Sequence, residues 1–420
     1  MSLESIVFSS KHFQDDNEQS KKNQPVEKQP AWMDPDDLAL VINPKLKNMP
    51  PSLENKPKEE IQHVLREKFN ETVHHIDTSW GDVSNQKEVA DTSDLFSDIK
   101  NKIPSDILVI TRVADLYTPK DYKASILQLA FNPAEPRASI LDSKGCLHIV
   151  SVNSKKNTIQ FSLPFPKEKP RFCQCYTANG EHIIVGGKQG TFLTVDCTTQ
   201  QAVVTRIPGN QTDITKVFCS PDNNILAMIS SKTVHFFDTS NKDLLKTIQT
   251  SDELRCGAFT DDSAYFVAAG KDGRGLVFDC EKFVAISRFQ EPEMQFIHAL
   301  DISRNRVAIG TDAGVLHIFD FNDLKTPHPK PLFSKLNLVT KVNTVKFNPT
   351  GELVVFASSD KKDSLKILHL GSQKVFSNWP TQKTPLSFVR DVGFDSTSKY
   401  LAIGNERGHV TLWELEFYAK

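Results

Sequence analysis

The chain has 420 residues, of which 39% are hydrophobic, and its formal net charge is −2. A sizeable core is therefore possible, and coating of nucleic acid through overall charge is disfavoured. Residues 1–105 hold 13 Lys+Arg and 19 Asp+Glu, a net of −6, whereas the remaining residues carry a net of +4. No signal-peptide core and no run of about 18 apolar residues is visible. We therefore expect an intracellular, reducing compartment with free thiols.

The first 105 residues are predicted to form an arm. Residues 9–30 are polar and typical of disorder, and prolines at five positions indicate extended chain beyond them: Pro35, Pro44, Pro50, Pro51 and Pro57. One helix is predicted near residues 57–76, with a single apolar stripe on an otherwise charged surface. The stripe comprises Ile61, Val64, Leu65, Phe69, Val73 and Ile76. It can pack on this chain's own body or on a partner, and the sequence leaves both alternatives open.

From residue 106 the hydrophobic period changes to two and one unit recurs seven times. Each unit has a strand that ends in a large apolar anchor before a turn: Phe131, Tyr176, Phe218, Phe259, Ile302, Phe347 and Phe394. The spacings of 45, 42, 41, 43, 45 and 47 residues are typical of four-stranded propeller blades. The sequence predicts second strands at Ile225–Ile229 and Leu353–Ala357, for example.

The third strand of each unit carries a degenerate form of the Trp-Asp pair that gives WD repeats their name. We predict these strands at Leu147–Val152, Phe192–Cys197, Val234–Asp238, Leu276–Cys280, Leu316–Phe321, Leu365–Leu370 and Val410–Leu415. Several end in an aromatic-Asp or apolar-Asp pair, namely Val195-Asp196, Phe237-Asp238, Phe278-Asp279 and Phe319-Asp320, and Trp413-Glu414 keeps the Trp.

The ends of the repeat region predict how the ring closes. The last unit stops after its third strand, while Asp106–Val113 reads as a strand without a unit of its own. Placed beside the last blade, it would supply the missing outer strand and cover an open edge. The predicted fold is all-β: a single seven-bladed WD40 β-propeller at 106–420, behind an extended, partly helical arm at 1–105.

No motif for catalysis, a cofactor or a metal stands out. A phosphate-binding loop and the HExxH and GxSxG patterns are absent. Cys173 and Cys175 lack a second pair, so core packing is favoured over a metal site. His148, His235 and His317 lie on third strands and are interpreted as structural. The protein is therefore not expected to be an enzyme, although loops could still assemble a catalytic site at one end of the ring.

Basic residues suggest RNA contact only weakly. Lys167, Lys169 and Arg171 form one local cluster and Lys361-Lys362 another. Solvated turns are the favoured interpretation, and contact with RNA phosphates within a larger assembly stays open.

Several stretches are more specific than the repeats. They include Lys374-Val375-Phe376-Ser377-Asn378-Trp379-Pro380-Thr381, Ala402-Ile403-Gly404-Asn405 and, in the arm, Pro30-Ala31-Trp32-Met33-Asp34-Pro35-Asp36-Asp37. Leu65-Arg66-Glu67-Lys68-Phe69 followed by Trp80 also fits. With these stretches the chain closely resembles the family of U3 small nucleolar RNA-associated protein 18, the single-propeller WD40 subunit of the UtpB complex in the small-subunit processome.

The resemblance implies a nuclear, nucleolar scaffold in pre-18S ribosomal RNA processing and 40S ribosome biogenesis. Implied partners are the other UtpB subunits (tandem-propeller proteins and the HAT-repeat subunit), the U3 snoRNP and pre-rRNA, with no membrane, small-molecule substrate or cofactor. Trp32, Phe69 and Trp80 are the expected aromatic anchors. The candidate partner-binding set is completed by Asp34, Asp36, Asp37 and Leu65. Packing on the chain's own propeller is the alternative, above all for Trp80.

The family's arm can also carry a Leu-Phe-x-apolar-Asp motif that recruits the exosome's RNA helicase. Leu95-Phe96-Ser97-Asp98-Ile99 has the last two residues in the wrong order, and Ile6-Val7-Phe8-Ser9-Ser10 lacks the Asp. Both matches are degenerate. Two alternatives to the implied function stay open: a WD40 interaction scaffold of another intracellular complex, and a propeller enzyme with a loop-built site.

Overall fold

A computed structural model of the chain describes residues 63–64, 66–69, 103, 107–119, 124–153, 156–166, 171–209, 211–291, 294–381 and 384–419. The chain divides into two units, Met1–Leu95 and Phe96–Lys420. In the first unit residues 63–64 and 66–69 are helical, within the segment for which the sequence predicts a helix. The division into an arm at 1–105 and a propeller at 106–420 stays a prediction.

The second unit is a seven-bladed β-propeller, as the repeat spacing predicts, and each blade is a four-stranded antiparallel sheet. Blade 1 comprises β2 (Ile126–Phe131), β3 (Arg137–Asp142), β4 (Cys146–Ser151) and β5 (Thr158–Pro164). Blade 2 comprises β6 (Arg171–Tyr176), β7 (His182–Gly187), β8 (Thr191–Asp196) and β9 (Ala202–Arg206). Blade 3 comprises β10 (Lys216–Cys219), β11 (Ile225–Ser230), β12 (Thr233–Asp238) and β13 (Leu244–Gln249).

The remaining blades follow the same order of strands. Blade 4 comprises β14 (Leu254–Phe259), β15 (Tyr265–Gly270), β16 (Arg274–Asp279) and β17 (Val284–Gln290). Blade 5 comprises β18 (Ile297–Ser303), β19 (Arg306–Thr311), β20 (Val315–Asp320) and β21 (Phe333–Leu336). Blade 6 comprises β22 (Thr344–Phe347), β23 (Leu353–Ala357), β24 (Leu365–His369) and β25 (Lys374–Val375). Blade 7 comprises β26 (Val389–Phe394), β27 (Tyr400–Asn405), β28 (Val410–Leu415) and β1 (Ile110–Arg112). Short 3-10 turns occur at Lys271–Gly273, Asp323–Lys325 and Glu416–Tyr418.

A buried polar side chain follows the anchor in each blade, and in every blade except blade 5 it accepts a backbone N–H of the turn to the second strand. These residues are Asn132, Thr177, Ser220, Thr260, Ser303, Asn348 and Asp395. Asn348 shows the mechanism, since its Oδ1 accepts the Glu352 and Leu353 backbone N–H groups at 2.9 and 2.8 Å. The side chain supplies the hydrogen-bond acceptor that water would otherwise supply to these N–H groups. The turn can therefore be buried without the loss of stability that unpaired N–H groups cause. The anchor-plus-turn pattern in the sequence therefore has a direct physical cause.

The aspartates at the ends of the third strands form the next turn. Asp196 Oδ1 accepts the backbone N–H groups of Thr198 and Thr199 at 2.7 and 3.1 Å. These hydrogen bonds lower the pKa of the Asp196 carboxyl. Asp238, Asp279 and Asp320 accept backbone N–H groups in the same way. Several third strands begin one or two residues earlier than predicted and end one residue earlier. Where an aspartate forms the turn, the strand ends at the aspartate and not at the residue after it.

The core consists of seven apolar clusters, one at each junction between neighbouring blades. The cluster between blades 7 and 1 contains Ala402 and Leu412 of blade 7 with Ile126 and Ile140 of blade 1. First strands contact each other around the complete ring, including β26 with β2. Each blade therefore buries apolar surface against two neighbours, and its packing depends on both.

The ring closes in blade 7, where β1 pairs antiparallel with β28. The registered pairs are Ile110 with Leu415, Thr111 with Glu414 and Arg112 with Trp413. The regular strand is shorter than the predicted Asp106–Val113, although Val109 and Val113 also bond to β28 or its continuation. The prediction that this segment is the outer strand of the Trp413 blade is confirmed. Among the described residues no helix has the length and apolarity needed to cross a bilayer.

Candidate partner-binding surfaces

The arm residues selected from the sequence are represented by Phe69 alone among the described residues. Phe69 lies on the helical segment and its side chain is 65% exposed. His63 and Glu67 on the same segment lie 3.6 Å apart, from Nδ1 to Oε1. The other six lie outside the described residues: Trp32, Asp34, Asp36, Asp37, Leu65 and Trp80. Both degenerate helicase motifs also lie outside them. The roles of all seven residues stay predictions.

Asn378 holds the segment that leads into β1. Its Oδ1 accepts the Leu108 backbone N–H at 3.1 Å, and its Nδ2 donates to the Leu108 carbonyl oxygen at 2.7 Å. Because the Val113 N–H bonds to Leu412 and the Glu416 N–H bonds to Val109, odd-numbered residues of this segment face β28. The backbone of Leu108 therefore faces outward. The Asn378 amide pairs with the outward N–H and carbonyl of Leu108 as a neighbouring strand would, so this part of the sheet edge is covered.

Apolar packing reinforces this junction. The rings of Trp379 and Trp413 meet edge to face with centroids 5.1 Å apart, and both belong to one cluster with Ile103 and Leu108. The peptide bond between Trp379 and Pro380 is cis. The family-like stretch 374–381 thus has a structural role that its sequence does not reveal: it joins blade 6 to the outer strand of blade 7.

The second family-like stretch fixes the junction of blades 7 and 1. A Cβ at Gly404 would lie 2.9 Å from the Ile126 side chain, so a larger residue would displace blade 1. Asn405 Oδ1 accepts the backbone N–H groups of Arg407 and His409 at 3.0 and 3.1 Å. The Ala-Ile-Gly-Asn stretch therefore combines a close approach between blades with a turn that one amide side chain organises.

The seven anchors surround one mouth of the central channel, where a cavity of about 620 Å³ opens. Asp301 and Lys346 also line it, with 3.6 Å between carboxylate and ammonium. Asp301 Oδ2 accepts the Phe347 backbone N–H at 2.8 Å, and its carboxylate raises the pKa of Lys346. Asp391 similarly accepts the Leu129 N–H at 2.7 Å across the blade 7 to blade 1 junction. These carboxylates bond neighbouring inner strands together.

The third-strand histidines have structural hydrogen bonds, as the sequence predicts. His235 contacts Thr233 and Thr247 at 3.1 and 3.0 Å, and burial lowers its pKa to about 4. The Nδ1 atom of His317 lies 2.8 Å from Ser334 Oγ. All three histidines are almost fully buried.

Among the described residues, His148 contacts both a serine and an aspartate, the groups that a catalytic alternative would require. Its Nδ1 lies 2.7 Å from Ser162 Oγ and its Nε2 3.7 Å from Asp142 Oδ2. Burial opposes its protonation, but Asp142 and Cys146 outweigh burial and raise its pKa to about 9. A protonated imidazole cannot serve as a general base. Asp142 and His148 lie inside blade 1 and do not line the cavity at the channel mouth.

The cysteines are free, as the sequence predicts, whereas one residue of a predicted basic cluster is buried. All seven cysteines are free thiols, and Cys173 is buried among Ile184, Ile214 and other apolar residues. Burial raises the pKa of the Cys173 thiol to about 12. The described residues contain no group of three or more His, Cys, Asp or Glu placed to hold a metal. The interpretation of Arg171 as solvated is wrong, because it is buried and donates to the Thr191 carbonyl at 3.1 Å.

Comparison with known proteins confirms the resemblance seen in the sequence. The chain is 26% identical over 96% of its length to the Homo sapiens U3 small nucleolar RNA-associated protein 18 homolog, of which it covers 77%. It is 25% identical over 93% of its length to the Mus musculus homolog, of which it covers 76%. The Saccharomyces cerevisiae protein of that name is 40% identical over 119 residues, which are 28% of this chain and 20% of that protein. No family model matches the chain.

Replacing Asn378 tests its hold on Leu108. Asn378→Ala removes two hydrogen bonds to backbone and should lower the free energy of unfolding by about 1–3 kcal/mol. Asn378→Asp should be at least as damaging, because it sets a carboxylate oxygen against the Leu108 carbonyl. Urea unfolding and the exchange rate of the Leu108 amide hydrogen measure both effects. Asn241→Ala on an exposed turn is the control, and equal stability of all four proteins would contradict the assignment.

His235 predicts a loss of stability in acid. Its folded pKa of about 4 lies below its ordinary 6.5, so the unfolded chain binds the proton more tightly. This contribution to stability is complete above pH 6.5 and falls as the pH drops towards 4, by up to about 3 kcal/mol. His235→Gln keeps an amide near Thr233 and Thr247 and should flatten that dependence. Denaturant unfolding of both proteins at several pH values measures it; identical slopes would refute this origin.

Proposed function

Since the chain is related over nearly its whole length to U3 small nucleolar RNA-associated protein 18, we propose that it is a non-catalytic scaffold subunit of the small-subunit processome. Within that assembly it belongs to the UtpB complex and acts in pre-18S rRNA processing and 40S ribosome biogenesis. The observation that carries the proposal is the similarity over 96% of the chain to proteins named for association with U3 RNA.

The architecture supports a scaffold. A closed ring of seven blades is rigid, because each blade packs on both neighbours. It offers two faces and a rim for different partners. The histidines and Asp142 that could have suggested catalysis are instead buried within blades, where His148 and His317 contact the exposed Ser162 and Ser334.

The proposed partners are other UtpB subunits, the U3 snoRNP and pre-rRNA, and the proposed location is the nucleolus. The names of the human and yeast relatives state association with U3 small nucleolar RNA, which supports both. Free thiols in all seven cysteines suit a reducing compartment.

The arm supplies the proposed contacts to partners. Trp32, Phe69 and Trp80 are its aromatic anchors, with Leu65 beside Phe69 on the predicted stripe. Asp34, Asp36 and Asp37 follow Trp32 and would favour a basic partner surface. The exposure of Phe69, 65% of its side chain, is compatible with burial against a partner, and aromatic anchors dominate interface energetics.

The double substitution Trp32→Ala and Phe69→Ala should detach the protein from its assembly. Each truncated anchor costs about 2–4 kcal/mol, so two together weaken binding by roughly three to five orders of magnitude if additive. Immunoprecipitation of the tagged chain, with quantification of U3 RNA in the precipitate, measures the loss. The matched control is Gln29→Ala with Gln62→Ala, which should precipitate U3 RNA like the unmodified chain.

Two further measurements complete the test. The melting curve of the anchor variant should match the unmodified protein, since a lower melting temperature with normal U3 recovery would mean that the anchors are structural. Depletion of the chain from cells should reduce 18S rRNA before 25S or 28S rRNA. A precipitate of the unmodified chain without U3 RNA, or balanced subunit levels after depletion, would refute the proposal and favour a scaffold of another complex.

A further inference from the structure

Two adjacent carboxylates at blade 4 each bind two cationic side chains. Arg274 Nη1 lies 3.2 Å from Asp252 Oδ1, and Arg288 Nη2 lies 2.9 Å from Asp252 Oδ2. Arg255 Nη2 and Lys271 Nζ lie 3.3 and 3.9 Å from the oxygens of Glu253. We call Arg255, Lys271, Arg274 and Arg288 the cation quartet. Four positive charges surround these two carboxylates, and the exposed Asp272 lies between Lys271 and Arg274 in the same turn, so the cluster has a net charge of about +1.

This ratio distinguishes the cluster from the other ion pairs of lysine and arginine between described residues. Each of those joins one cation to one carboxylate, as in Arg390 with Glu406 and Lys399 with Glu414. Such pairs neutralise themselves and leave no charge for a ligand. The quartet keeps an excess of positive charge that its own carboxylates do not cancel.

The quartet is both ordered and accessible. The Asp252 side chain is only 5% exposed, whereas those of Arg274 and Arg288 are 37% and 48% exposed. Arg255 and Lys271 are 50% and 49% exposed. Gln290 Oε1 accepts the Arg274 Nε–H at 3.3 Å. The buried Asp252 orients Arg274 and Arg288, and the partly exposed Glu253 orients Arg255 and Lys271. Cations that are already oriented lose less entropy when an anion binds.

All four cations lie at the same end of the strands of blade 4. Asp252 and Glu253 precede β14, Lys271 lies in the turn between β15 and β16, Arg274 begins β16, and Arg288 is near the end of β17. Because the four strands are antiparallel, these positions share one end of the sheet.

We propose that the cation quartet binds the phosphodiester backbone of single-stranded RNA. The inference rests on the proposed function and deepens it, because it places RNA contact on the propeller itself. A guanidinium forms charge-assisted hydrogen bonds with phosphate oxygens in the geometry that it uses for a carboxylate. Four cations from three chain segments suit a series of phosphates better than the one phosphate of a phosphopeptide. Phosphate contacts position RNA and read no sequence.

Binding of a labelled oligouridylate to the full chain tests the proposal. The probe is about 20 nucleotides long, more than common single-strand site sizes, and fluorescence anisotropy is recorded between about 50 and 200 mM KCl. Arg255→Gln with Lys271→Gln removes two contacts while the partner Glu253 stays accessible to water. The slope of log affinity against log salt should fall by about 1.4, and binding near 0.1 M salt should weaken by roughly tenfold or more.

Two matched variants separate this site from general charge effects. Arg137→Gln with Lys399→Gln changes the net charge equally at the opposite ends of blades 1 and 7, and should leave RNA binding nearly unchanged. Glu253→Gln releases Arg255 and Lys271 from their carboxylate and should strengthen RNA binding. A structural role of the quartet gives no reason for that gain. Melting curves of every variant confirm that the propeller remains folded.

Several results would overturn the proposal. They are binding of a phosphoserine peptide but not RNA, equal weakening by the quartet and control pairs, or weaker RNA binding by Glu253→Gln. Each leaves the proposed function separately measurable, because recovery of U3 RNA in the immunoprecipitate reports on membership of the assembly. If U3 RNA is recovered while anisotropy fails, only the RNA site on blade 4 is rejected.

Discussion

The pairing of β1 with β28 is the contact on which the rest of the structure depends. Every blade buries apolar surface against two neighbours, so an open ring would leave two such faces in water. The final three strands of blade 7 come from the C-terminal end of the repeat region, and the outer strand comes from its beginning. Three registered pairs and the hydrogen bonds of Val109 and Val113 to β28 or its continuation join these distant parts of the chain.

The side chains around that pairing explain why certain stretches of sequence are distinctive. Asn378 bonds to both backbone groups of Leu108, and Trp379 packs edge to face on Trp413. Blade 6 therefore secures the outer strand of blade 7 from the side that no other strand occupies. Gly404 allows Ile126 of blade 1 to approach on the other side of blade 7.

Much of the fold could be predicted from the sequence because it follows from local periodicity. The anchors, the turns after them and the Asp residues that end third strands recur at similar spacing, and each has one local physical cause. The last unit has only three strands after its repeat begins, and this missing fourth strand predicted that the ring closes with the segment before the first repeat. Contacts between distant residues escaped prediction: the Asn378 amide meets Leu108 across 270 positions, and the cation quartet assembles from positions 255, 271, 274 and 288. Arg171 looked like a surface charge because sequence alone could not place Thr191 beside it. The roles of the predicted arm anchors stay predictions.

Proline substitution at two adjacent residues of β1 tests closure of the ring most directly. The N–H of Thr111 faces β28 and that of Arg112 faces outward, by the alternation set by Val109 and Val113. Thr111→Pro removes a bond of the closing ladder and should lower the free energy of unfolding by about 1–3 kcal/mol. Arg112→Pro removes an outward N–H and the exposed pair with Asp115, and should cost less than about 1 kcal/mol. Denaturant unfolding of the two variants gives the comparison: the account predicts that Thr111→Pro is clearly the less stable, and equal stability or the reverse order would contradict closure by β1.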